Sequence, residues 1–165
     1  MGRIMETKMY TTIDRKALKW PSGPWDGEPD KLQWQDQHTR LPCLAVRHPR
    51  CGHWCGYVGV AEGHPFFEKD YSDVDVDVHG GLTFADMCQP GEQELTGVCH
   101  VPGKNEPDHV WWLGFDCAHS GDWSPSDALH ALRGYPFTRS VDEEYRDIEY
   151  VKRQCASLAA QLVSE

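Results

Sequence analysis

Val110-Trp111-Trp112-Leu113-Gly114-Phe115 carries no polar side chain except the indole N–H groups. A half-buried strand alternates polar and apolar residues, so a run that is apolar on both faces predicts a central strand covered on both sides. The run stops at Asp116, and Asp116-Cys117-Ala118-His119-Ser120-Gly121-Asp122 follows directly. Polar groups just past the end of a buried strand stand on a rigid support beside solvent, where binding sites are commonly built. On an extended segment Asp116 and Ala118 face one way, and Cys117 and His119 the other. Cys117 and His119 then share a metal, or His119 holds Cys117 as a thiolate. The structural alternative makes Asp116 and Asp122 turn caps and Cys117 a small buried hydrophobe.

Outward from this strand, Leu44 and Val46 belong to a short run ended by His48-Pro49-Arg50-Cys51-Gly52-His53. With Cys55-Gly56-Tyr57-Val58-Gly59-Val60 it reads as a β-hairpin. Asp73-Val74-Asp75-Val76-Asp77-Val78 alternates strictly, which predicts a strand with valines on one face and aspartates on the other. Val98–Val101 and Val110–Phe115 flank a turn-rich stretch at Pro102–Asp108, the pattern of a second hairpin. Ser120-Gly121-Asp122-Trp123-Ser124-Pro125 reads as loop. At the far end, Ser140 and Glu143 have the spacing of a capping box. Tyr145, Ile148, Val151, Cys155, Leu158 and Leu162 then form one apolar stripe, with Arg146, Glu149, Lys152 and Arg153 opposite.

Before Leu41 the chain is irregular, and Trp20-Pro21-Ser22-Gly23-Pro24-Trp25 is dense in turn formers. Trp20, Trp25 and Trp34 are too apolar to be left in water, so this arm is expected to lie against the body. The fold class is therefore α+β: a mixed or antiparallel β-sheet, a long C-terminal α-helix packed on it, and a loop-rich N-terminal arm. The expected layout is a single domain over residues 1–165, with the arm at 1–40, the sheet core at 41–120 and the helix at 140–163.

Composition narrows the function. The 165 residues are 39% hydrophobic and 25% charged, in the globular range. No apolar run approaches the ~20 residues that span a bilayer. The N-terminal residues lack a secretory pattern, and Gly2 lacks the companions of a myristoylation motif. A cytoplasmic location, with no membrane partner, is expected. The formal charge of −10 argues against nucleic acid, whose phosphates need Lys and Arg. Seven cysteines without a secretory signal favour free thiols, metal ligands or a nucleophile over a disulfide framework.

The second polar motif is Val78-His79-Gly80-Gly81-Leu82-Thr83. Its glycines can expose backbone N–H groups to a ligand, with His79 beside them as donor or base. The alternative is a tight turn with an exposed histidine. Candidate ligand-binding residues are His64, His79, Gly80, Gly81, Thr83, Asp116, His119 and Asp122. Cys51, His53 and Cys55 are candidate zinc ligands, although zinc sites usually use Cys-x-x-Cys pairs. Asp73, Asp75 and Asp77 are read as a solvated face.

On Trp25–Lys31, Cys55–Val60, His79-Gly80-Gly81-Leu82-Thr83, Gly114-Phe115-Asp116-Cys117-Ala118-His119 and Tyr145–Val151, the chain resembles an uncharacterised family of small bacteriophage and bacterial proteins. The resemblance spans most of the chain and implies a phage-related setting, in the host cytoplasm if phage-encoded, without implying a mechanism. The order of a His followed by an Asp-Cys-x-His segment also resembles permuted papain-like thiol enzymes. That resemblance implies Cys117 as nucleophile and His79 as base. Those enzymes place the Cys at a helix N-terminus, whereas Cys117 precedes a segment read as loop.

The leading expectation is a protein that binds a small polar ligand, such as a nucleotide or signalling nucleotide, in a His/Asp/Cys pocket and needs no cofactor. One alternative is a thiol- or metal-dependent hydrolase using Cys117 with His79 and His119, zinc being the metal in question. The other is an acidic protein-interaction module, such as an inhibitor of a host protein.

Overall fold

The run at Val110–Phe115 does form a strand with neighbours on both sides. In the computed structural model, which describes residues 5–88, 93–104, 106–107, 109–134 and 143–163, the strands are β1 (Lys8–Tyr10), β2 (Lys31–Gln35), β3 (Pro42–Arg47), β4 (Trp54–Ala61), β5 (Phe84–Met87), β6 (Val110–Asp116), β7 (Asp122–Trp123) and β8 (Glu144–Tyr145). The helices are α1 (Arg15–Leu18), α2 (Gln93–Thr96), α3 (Pro125–Leu132) and α4 (Ile148–Val163). Strands β1 to β6 make one antiparallel sheet in the order β1-β2-β3-β4-β6-β5. The fold is α+β, with α4 packed on the sheet.

Both faces of β6 are used. Leu113 and Phe115 join Trp54, Val58 and Val60 of β4 beneath Val151, Cys155, Leu158 and Leu162 of α4. Val110 and Trp112 go to the other face with Leu44 and Tyr57. Period-2 alternation places successive side chains on opposite faces, and here each face has a cluster to join. Strands β4 and β6 interlock through reciprocal glycine–aromatic pairs, Gly56 opposite Phe115 and Tyr57 opposite Gly114. A Cβ on Gly56 would lie 2.5 Å from the Phe115 ring.

The hairpin expected at residues 44–60 is β3–β4, in register from Cys43↔Val58 to Arg47↔Trp54. The arm is irregular between its elements, yet it also supplies β1 and β2, so the sheet begins well before Leu41. Trp25 is buried, and Trp20 and Trp34 are half-buried. The arm is tied down by Asp30, whose carboxylate accepts from Thr12 N and Ile13 N and pairs with Arg15 and the fully buried Arg47.

Three sequence expectations are corrected. Val74–Val78 forms no strand. Val74 and Val78 are buried and the aspartates between are exposed, so the alternation is one of exposure alone. The segment lies along α4, held by side-chain amides: Asp77 N donates to Gln161 Oε1 at 2.7 Å and His79 N to Gln154 Oε1 at 2.9 Å. Val98–Val101 is likewise not a strand, and β5 pairs with β6 instead. The amide of Gln33 clamps Val101 from both sides, and Lys31 Nζ donates to Cys99 O. The C-terminal helix starts at Ile148. Ser140 lies outside the described residues, while Glu144–Tyr145 is β8. The helix start is set by Asp147, which caps Tyr150 N, and by Glu28 from the arm, which accepts from Ile148 N.

Two further features depart from the expectations. Residues 122–132 are not all loop: β7 is followed by α3, whose N-cap is Ser124 in a capping box with Asp127. Cys88 and Cys99 form a disulfide with Cα atoms 5.0 Å apart, leaving Cys43, Cys51, Cys55, Cys117 and Cys155 as free thiols. No described helix is long and apolar enough to cross a membrane.

Candidate functional site

The end of β6 and the double-glycine bend meet. After β6 the chain turns through Gly121 (φ +94°) into β7, which pairs in parallel with β8. That pairing carries Arg146 to Asp122, and α4 then presents Tyr150. The bend at Gly80 (φ +67°) and Gly81 (φ +80°) uses the left-handed backbone region that favours glycine. Gly80 is packed flat against His119: a Cβ there would lie 2.3 Å from His119 Cδ2 and Nε2.

Asp122 is the hub. Its carboxylate faces His79 Nε2 at 2.9 Å, and it accepts from Arg146 Nε at 2.9 Å and His119 N at 3.0 Å. Burial alone would raise its pKa, but the hydrogen bonds from His79, Arg146 and the His119 backbone outweigh it and hold the carboxyl below the usual range. The other nitrogen of His79, Nδ1, lies 2.6 Å from Tyr150 Oη. Both ring nitrogens of His79 are therefore occupied. It latches the bend to β7 and α4 and has no nitrogen left to take a substrate proton.

His119 differs. Its Nε2 lies 3.0 Å from Asp116 Oδ1, at an angle outside hydrogen-bond geometry. Asp116 in turn accepts from Thr83 Oγ1 at 3.2 Å and from Ala118 N at 3.2 Å. His119 Nδ1 has no partner among the described residues. The ring borders a cavity of about 280 Å³ shared with His53, Asp122, Ser124, Asp127 and Glu143. Burial, then the stacked His48 ring 4.9 Å away, push the pKa of His53 below the usual histidine value. A second, more open polar recess of about 380 Å³ lies beside His79, Gly80 and Tyr150.

The sequence-derived candidates divide accordingly. His79, Gly80, Asp116, His119, Asp122 and Thr83 are brought together, with Gly81 in open space beside them. His64 is elsewhere: its Nε2 lies 2.7 Å from Leu162 O, twelve residues along α4 from Tyr150 and so ~18 Å away along the helix. Cys117 is 2% exposed within the core, and burial, reinforced by Asp122, pushes its thiol well above the ordinary value. It follows β6 directly and does not sit at a helix N-terminus, one of the positions that lowers a thiol's pKa. Cys51 and His53 face the 280 Å³ cavity, whereas Cys55 lies on the opposite face of the sheet with Tyr57. The three do not converge, and among the described residues no group of three or more His, Cys, Asp or Glu side chains has the geometry to hold a metal.

Arg146 and Tyr150 belong to the site although the apolar stripe of α4 passes them by. Their spacing was nevertheless readable: Arg146, Tyr150, Gln154, Ser157 and Gln161 recur at four, four, three and four residues. This is a second, polar stripe, and Tyr150, Gln154 and Gln161 from it hold residues 77–79. No protein-family model, no curated protein and no solved structure matches this chain.

Proposed function

We propose that the protein binds a small polar ligand in the cavity between His119, His53 and Asp122. One observation carries this reading. Of the two motif histidines, His79 is consumed by structure, while His119 is packed against Gly80 with Asp116 beside it, has neither ring nitrogen hydrogen-bonded among the described residues, and borders a cavity. A preorganised polar group at a concave site is what small-molecule recognition needs. Among the described residues the wall contains Asp122, Asp127 and Glu143 and no Lys or Arg. It favours a ligand that donates hydrogen bonds or carries positive charge. Of a nucleotide, only the base suits this wall, because the phosphates would meet carboxylates.

The test is a thermal-shift and native mass spectrometry screen against amines, amino acids, nucleosides, nucleotides and inorganic phosphate. At least one hydrogen-bond donor ligand is expected to bind, and His119→Ala should abolish that binding while the fold persists by circular dichroism. Absence of any ligand, or equal binding by the variant, defeats the reading. A second reading, general-base catalysis by His119 with Asp116 as its partner, rests on the same unbonded ring nitrogens. Turnover of a bound ligand that disappears in His119→Ala would distinguish it.

A further inference from the structure

On the face of the sheet away from α4, residues 94–101 lie over β2 as a strap. Lys31 and Gln33 pair with Val46 and Leu44, which belong to the cluster on that face, so both side chains project there. Each is 1% exposed, and each grips the backbone of the strap. Lys31 Nζ donates to Glu94 O at 2.7 Å and to Cys99 O at 2.8 Å. Gln33 Nε2 donates to Val101 O at 3.0 Å, and its Oε1 accepts from Val101 N at 2.8 Å.

Apolar packing adds less. Val98 is half-buried against the cluster, His100 meets Trp112 edge-on at 5.2 Å, and Cys99 is buried, but Glu94, Leu95 and Thr96 are exposed. A covalent tie completes the hold: the Cys88–Cys99 disulfide fastens the strap to the end of the edge strand β5. Its two sulfurs are unequal, since Cys88 is exposed and Cys99 only 6% exposed. Thiol–disulfide exchange begins with a thiolate attacking one sulfur, and access selects Cys88. A segment with few buried apolar contacts opens at lower cost than a core. The core under α4, with Val58, Leu113, Val151 and Leu158, is a separate cluster that does not include the strap.

We propose that Cys88–Cys99 is a reversible thiol-exchange site, whose reduction by a dithiol lets residues 94–101 lift and uncovers Lys31. A thiolate of the reductant attacks Cys88 Sγ, the S–S bond breaks, and Cys99 leaves as a thiolate that takes up a proton. The second thiol of the reductant then displaces Cys88, which is protonated in turn, and the reductant departs as its own disulfide. Two electrons and two protons have passed to the protein. Water then competes for the strap carbonyls and for the Lys31 ammonium. The proposal does not depend on the His119 cavity.

Protein equilibrated with oxidised glutathione, and then treated with dithiothreitol, tests it by hydrogen exchange and by acetylation with an N-hydroxysuccinimide ester, both read by mass spectrometry. Reduction should raise exchange in residues 94–101 and labelling of Lys31 by about tenfold or more, and leave residues 151–162 of α4 unchanged. Brief exposure to reduced glutathione, quenched in acid, should trap the mixed disulfide on Cys88. The double variant Cys88→Ser/Cys99→Ser should match the reduced protein and ignore dithiothreitol. The proposal is overturned if both cysteines stay thiols in oxidised glutathione, if exchange and labelling are the same in the two states, or if the adduct sits on Cys99. Loosening of α4 together with the strap, in the reduced protein or the variant, also overturns it, because the bond is then a staple of the whole fold.

Discussion

His79 Nε2 sits 2.9 Å from Asp122 Oδ2 and 3.1 Å from Oδ1, joining two segments separated by 43 residues. Through this contact a glycine bend, the exit from the central strand, and the first turn of α4 become one unit. Asp122 closes it by also taking Arg146. The same contact removes His79 from chemistry and leaves His119 as the motif histidine with an unbonded nitrogen.

The bend should tolerate substitution unequally. Gly80→Ala combines left-handed backbone strain with a Cβ 2.3 Å from His119, whereas a Cβ on Gly81 meets nothing within 4 Å. Urea unfolding is expected to show a loss of about 2–3 kcal/mol for Gly80→Ala and about 1 kcal/mol for Gly81→Ala. Equal losses would show that the His119 contact is unimportant.

Asp122 should make stability acid-sensitive. Its folded pKa is depressed, so the unfolded chain binds the proton first, and stability is lost as pH falls below the ordinary carboxylate range of about 4 through the folded value. Asp122→Asn is expected to cost stability at pH 7. The gap from the unmodified protein should narrow below about pH 4, because the proton then neutralises both chains alike at this position. Thermal melts of both proteins across that window measure the gap; a constant gap contradicts the assignment.

Among the free thiols, Cys117 should be among the slowest to react. It is buried with a raised pKa, whereas Cys51 is half-buried and borders a cavity. Timed iodoacetamide labelling at pH 7.5, read by peptide mass spectrometry, should modify Cys51 well before Cys117. Rapid labelling of Cys117 would restore the thiol-enzyme reading.

Lys31 predicts an alkaline effect. Burial pushes its pKa down to about 8, although Glu94 opposes the shift. Between that value and about 10.4, the usual lysine value, the unfolded chain holds a proton that the folded chain has released. Lys31 therefore contributes a stability that rises with pH across this window. Lys31→Met should flatten that rise in urea titrations at pH 8 and pH 10. An unchanged slope would mean that the ammonium stays protonated in the fold.

Much of the fold was legible. Val110–Phe115, the 44–60 hairpin and the stripe from Ile148 to Leu162 each carry a periodicity that any core must accommodate. Val74–Val78 and Val98–Val101 misled because their backbones are held by the side chains of Gln161, Gln154 and Gln33 and not by a ladder; in Val74–Val78 this leaves the same alternating exposure. The candidate site was half legible. Both motifs were visible, but their roles depended on partners such as Arg146 and Tyr150, outside the motifs.

By itself the sequence determined the central strand, the hairpin before it and the helix packed on the sheet, since those patterns repeat over a few residues and reflect only burial. Tertiary structure alone decided that α4 begins where Glu28 receives Ile148 N, 120 residues away, and that Cys117 is buried while the His119 ring borders a cavity. Such assignments depend on which polar groups find each other across long separations and on how much water is excluded around them, and neither leaves a local periodicity in the chain.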